Sequence, residues 1–132
     1  MTWAAKYIGE PWVAGANDCW AFARRVWREE FGFDVPAVDV DAINRLSCSR
    51  AFRDHPERQS WDQIGQPEEG AAVLMGKSDR ASHVGIWTQA DGGGVVHCLE
   101  GVGVVFSAPA ALRSTGLKVL GWYRRSECAP TA

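Results

Sequence analysis

The chain has 132 residues, a hydrophobic fraction of 46%, a charged fraction of 23% and a formal net charge of −2. That length and composition read as one soluble globular domain over residues 1–132, with enough apolar side chains to build a core without staples. The near-neutral charge excludes an electrostatic case for nucleic acid or for anionic membranes as partners. The opening MTWAAKYIGE holds no long apolar run, so neither a signal peptide nor membrane insertion is expected. Cys19, Cys48, Cys98 and Cys128 are scattered and form no C-x-x-C pair, which argues against a zinc ribbon or a dithiol redox site.

Trp3 to Ile8 reads as a short helix with Trp3 and Tyr7 on one side, ended by Gly9 and Pro11. The stretch that follows, GANDCWAFARRVW at Gly15–Trp27, organises the reading of the chain. Asp18 and Asn17 are N-cap candidates, and Phe22, Ala23 and Val26 follow Cys19 at the spacing of one helical face. A helix is therefore predicted from about Asp18 to Phe31, stopped by Gly32. Cys19 falls in its first turn, where unpaired amides and the positive dipole end favour a thiolate. The same position also suits an inert buried cysteine.

A further helix is predicted from about Asp41 to Arg53, with Cys48 as packing, broken at His55-Pro56. His55 lies among charged neighbours and reads as a solvated surface histidine. Trp61 to Gly70 looks turn-like. The period then changes to that of strands: Ala71–Met75, His83–Thr88, Val95–Leu99, Val104–Ser107 and, at the end, Lys118–Arg124. A short helix with proline at its start is predicted over Pro109–Ser114, and the tail from Ser126 reads as frayed. Helices first and an antiparallel meander afterwards give an α+β class, with a helical half on one face of the sheet.

His83 opens one predicted strand and His97 lies within the next, across ADGGG. Strict opposition across that hairpin is not assured, and an irregular, longer loop is expected to be needed to bring the two rings together. If both face one way, His83 can act as base for Cys19 and His97 can orient His83. Two satisfied strand histidines are the alternative.

The segments YIGEPWVAGANDCWAFARRVWREEFG at 7–32, SHVGIW at 82–87, VVHCLEGVGVV at 95–105 and GWYRR at 121–125 together resemble the NlpC-type cysteine peptidases of bacterial cell walls. The similarity is greatest to the branch found in tail-assembly and tail-tip proteins of long-tailed phages. The resemblance implies a papain-like α+β fold, Cys19 as nucleophile, His83 as base and His97 as the polar group that orients the base. It places Tyr7 near the site and matches Asp18 to the acidic residue before the nucleophile. It implies hydrolysis of peptidoglycan stem-peptide amides, typically between D-glutamate and a diamino acid, through a thioester and with no metal or cofactor. Phage tail-tip proteins would be its partners, and the virion its destination after assembly in a host cytoplasm. Trp20-Ala21 stands where many members carry a small Ser-Gly pair, and Cys98 stands where a small residue commonly follows the third member. Cys98 reads as core. The rival reading is a structural tail-assembly subunit with a shielded or vestigial site, motivated by seven tryptophans that could mark an interface.

Overall fold

The computed structural model describes residues 2–38 and 56–126. The predicted helix from Asp41 to Arg53, Cys48, His55 and the tail after Ser126 lie outside the described residues. The chain opens with a 3₁₀ turn, Trp3–Lys6, and Trp3 meets Tyr7 edge-on at 6.4 Å between ring centroids. Helix α1 spans Cys19–Val26. Its start is local chemistry: Asp18 is extended and accepts from the Ala21 amide, satisfying one of the donors a helix leaves unpaired. α-Geometry ends at Val26, and the next turn, Trp27–Phe31, widens to π spacing before Gly32 closes it at φ 77°. The widened turn carries Trp27, whose indole donates to Gly70 O at 2.9 Å and packs against Trp61 at 4.8 Å. The predicted helix to Phe31 is thus one helical stretch of two geometries.

Six strands form one antiparallel sheet: β1 Trp61–Ile64, β2 Ala72–Gly76, β3 His83–Thr88, β4 Gly94–Leu99, β5 Gly103–Ser107 and β6 Lys118–Arg125. Helix α2, Pro109–Ser114, links β5 to β6. The strand order is β1-β6-β2-β3-β4-β5. Strands β2 to β5 form the expected meander, while β6 inserts between β1 and β2. Trp61–Ile64 departs from the predicted turn: it pairs with β6 from Trp61↔Arg125 to Ile64↔Trp122. A four-residue edge strand carries little local signal, because it exists only through its distant partner.

The sheet is buried on both faces, with the N-terminal helix on one, as expected, and the short α2 on the other. On one face Phe22, Ala23 and Val26 of α1 pack with Val84, Ile86, Val96 and Cys98. Burying Phe22 and Val26 there contributes on the order of 1.5–3 kcal/mol each. On the other face Val73, Met75, Trp87 and Val95 pack with Leu112 of α2 and with Leu117. All seven tryptophans are buried or half-buried, which makes them core residues first.

Losing the cap is expected to cost. Asp18→Ala should lower the unfolding free energy by about 1–2 kcal/mol, with Asp18→Asn close to wild type, in urea titration. Equal stability of Asp18→Ala and wild type would show that the cap contributes nothing.

Candidate active site

Cys19 is the first residue of α1 and is half-buried. The loop before it is held at many points. Asp18 uses both carboxylate oxygens, accepting from Ala21 N and from Gly15 N at 2.9 Å each. Asn17 donates to Pro11 O at 2.8 Å and accepts from Arg25 at 3.2 Å, and Arg25 also pairs with Glu10. Cys98 is fully buried on the α1 side of β4 and its thiol donates to Asn17 O at 3.1 Å. The reading of Cys98 as core stands, with a hydrogen bond added. Burial pushes this thiol up to about 11, aided by the carboxylates of Asp18 and Glu10, so Cys98 stays protonated and is a poor nucleophile.

The histidines come together. His83 Nε2 lies 2.8 Å from His97 Nδ1, and His97 Nε2 lies 2.9 Å from Ser107 Oγ. The loop between Thr88 and Gly94 is irregular, as expected, with Asp91 at φ 53°, and it sets the register of the pair. The β3–β4 ladder is regular from Ile86↔Val96 to Thr88↔Gly94. Continued, it sets Gly85 opposite His97 and places His83 one same-face position further, a diagonal within reach of two long rings. Gly85 keeps that diagonal clear: a Cβ there would sit 2.9 Å from His97 Cβ and 2.4 Å from Val95 Cγ1. Alternation sends His83, His97 and Ser107 to the face away from Val84, Ile86, Val96 and Cys98. Helix α1, headed by Cys19, packs on β3 and β4, on the sheet face opposite the histidines.

Both rings are shielded, His83 at 9% and His97 at 0% exposure. Burial pushes His83 down to about 3, with the facing His97 as the second cause, and pushes His97 down to about 4. Both are neutral at pH 7, the state in which an imidazole can accept a proton. Because the folded values lie below the unfolded value near 6.5, the unfolded chain binds more protons as pH falls through 6.5 toward 4. The stability present above pH 6.5 is therefore lost on acidification. Between pH 7 and pH 5 the unfolding free energy is expected to fall by about 2–4 kcal/mol, and by about half as much in His97→Gln. A flat profile in urea titrations across that window would contradict it.

Tyr7 lies along α1 and the turn that follows it. Its hydroxyl lies 2.7 Å from Glu29 and 2.8 Å from Glu30, beyond the C-terminal end of α1, and its ring meets Phe22 edge-on. Burial and the two carboxylates raise its pKa far above the ordinary tyrosine value, so it stays a phenol. One hydroxyl proton serves one carboxylate at a time, and Lys6 balances Glu30 at 2.6 Å. The geometry thus engages Tyr7 with α1 and its following turn, and Asp18 with the helix cap. Among the described residues no group of three His, Cys, Asp or Glu side chains is placed to hold a metal ion. Sequence reasoning passed over Ser107 and Gly85. The signal for the first was a hydroxyl ending an apolar strand, and for the second a glycine inside HVGIW.

The chain matches no protein-family model and no curated protein.

Proposed function

We propose that this chain is a papain-like cysteine endopeptidase of the NlpC type, acting on peptidoglycan stem-peptide amides between D-glutamate and a diamino acid. The observation that carries the reading is the buried His83–His97 hydrogen bond of 2.8 Å, which pairs a candidate base with the group that would orient it. With Nε2 of His83 engaged by His97, Nδ1 is the nitrogen left to serve the nucleophile. His83 opens β3 on the sheet face away from the α1 core, so this chemistry requires Cys19, at the head of α1, to meet it around the start of that strand.

In this mechanism the Cys19 thiol gives its proton to His83 Nδ1, and the sulfur attacks the amide carbonyl carbon. The positive end of α1 favours the oxyanion that forms. The C–N bond then breaks as His83 returns the proton to the leaving amine, and a thioester remains on Cys19. Water, deprotonated by His83, attacks the thioester. The acid product leaves, and the proton returns to the sulfur. No metal or cofactor enters these steps. The proposal extends to service within a phage tail tip, where the particle would carry the domain to the wall.

A purely structural tail subunit would present broad apolar patches. Among the described residues the exposed large hydrophobics are Ile8, Val13 and Val102, and no tryptophan is among them. This favours the enzyme.

Mass spectrometry of purified muropeptides incubated with the protein tests the reading. The expected result is a product pair whose masses fit cleavage between D-glutamate and the diamino acid, absent with Cys19→Ala. The same products with Cys19→Ala, or none from a folded wild type, would overturn it.

A further inference from the structure

Ser107 ends β5 and is 7% exposed, and its hydroxyl lies 2.9 Å from His97 Nε2, at the far end of the chain His83–His97–Ser107. We propose that Ser107 is a positioning residue whose hydroxyl permits the two histidines the tautomer that leaves His83 Nδ1 unprotonated, a tautomer that would otherwise bury an unpaired N–H on His97. The inference rests on the reading of His83 as the base, and it adds a fourth side chain to that machinery.

Each neutral imidazole carries one N–H, and the contact between the rings uses His83 Nε2 and His97 Nδ1. One of these nitrogens must donate and the other accept. If His83 Nε2–H donates, His83 Nδ1 is bare and can take a proton from a thiol. His97 Nδ1 is then the acceptor, so the His97 proton sits on Nε2 and needs an acceptor of its own. Ser107 Oγ can be that acceptor. In the opposite arrangement His97 Nδ1–H donates to His83 Nε2, the Ser107 hydroxyl donates to the bare His97 Nε2, the His83 proton moves to Nδ1, and the base is lost. A buried N–H without a partner is costlier than a bare ring nitrogen in the same place. Removing the hydroxyl therefore tilts the pair toward the second arrangement. The first arrangement also survives proton transfer. When His83 becomes an imidazolium its Nε2–H still donates to His97, and His97 Nε2–H still donates to Ser107, so no group has to turn.

The geometry around Ser107 supports a fixed role. Ser107 pairs with Val95, beside His97↔Val105, so its side chain lies on the same sheet face as His97 and diagonal to it. Val95 is fully buried. The hydroxyl is therefore carried by backbone pairing and does not depend on a mobile side chain.

Ser107→Val and Ser107→Thr test this as a pair, since the two have nearly the same shape and differ by the hydroxyl. In protein with ¹⁵N-labelled histidine, long-range ¹H–¹⁵N correlation at pH 7 reports which ring nitrogen carries the proton. Expected for wild type and Ser107→Thr is a bare His83 Nδ1 with protons on Nε2 of both rings. Expected for Ser107→Val is a proton on Nδ1 of both. Ser107→Ala serves in place of Ser107→Val if the latter does not fold. A protonated His83 Nδ1 in wild type, or identical tautomers in the valine (or alanine) and threonine proteins, would overturn the proposal. These spectra decide it whether or not muropeptides are cut. If they are, turnover should fall on the order of 10²-fold in Ser107→Val with KM little changed, and Ser107→Thr should recover it.

Discussion

Replacing His83 by glutamine is expected to reduce muropeptide cleavage by about 10²–10⁴-fold, the usual contribution of a positioned general base. That range corresponds to roughly 3–5 kcal/mol of lost transition-state stabilisation. Glutamine is chosen because its amide can still donate toward His97 Nδ1, so the buried contact at 2.8 Å need not be left unpaired. What it lacks is a nitrogen able to take a proton from sulfur. The effect should therefore appear in kcat more than in KM, and the fold should survive. A second readout needs no substrate. The rate at which iodoacetamide alkylates Cys19 at pH 7, followed by peptide mass mapping, should fall on the order of tenfold, because the base that helps form the thiolate is gone. Cys98 is an internal reference, since its buried thiol should stay slow in both proteins. Unchanged alkylation and unchanged cleavage in a folded His83→Gln protein would reduce the histidine pair to a satisfied polar contact in the sheet.

What could be read from the chain in advance was what depends on near neighbours. The Asp18–Cys19 helix start was legible because a cap is made within a few residues. So were His83–Thr88, where β-branched and aromatic residues run between turn formers, and Pro109–Ser114, where proline sits at the first helical position. What stayed hidden depends on partners far along the chain. β1 is a strand only because β6 reaches it, and the insertion of β6 between β1 and β2 leaves no local mark. The histidine pair was legible as residue types and not as geometry. Its contact depends on the ladder entering at Thr88↔Gly94, after a turn in which Asp91 takes φ 53°. It also depends on an empty position at Gly85, which a pattern of hydrophobic and polar residues does not distinguish from an ordinary strand glycine. For Tyr7 the local sequence left unmarked its hydroxyl partners, Glu29 and Glu30, which lie more than twenty residues further along the chain.

Gly85→Ala is expected to cost stability at the histidine pair for the addition of a single methyl group. One methyl group would lie 2.4 Å from Val95 Cγ1, 2.9 Å from His97 Cβ and 3.1 Å from Val96 O. Two of these three neighbours are backbone or directly attached to it, so they move only if β4 moves. Val95 is fully buried and has no free volume to turn into. Overpacking of this kind costs typically about 1–3 kcal/mol, and the fixed neighbours point to the upper end. For a domain of this size the thermal midpoint should drop by roughly 4–12 °C. Gly65→Ala is the control, because nothing lies within 4 Å of its Cβ position and its φ is not positive. That change should stay within about 0.5 kcal/mol of wild type. Val95→Ala in the Gly85→Ala background removes the closest contact and should recover part of the loss, a coupling that a double-mutant cycle measures. If β4 shifts to admit the methyl, His97 moves with it, and the tautomer signature of the pair should broaden or change even where the protein remains folded. Equal midpoints for Gly85→Ala and Gly65→Ala would show that the strands yield at no cost, and that the clearance at Gly85 does not set the diagonal meeting of His83 and His97.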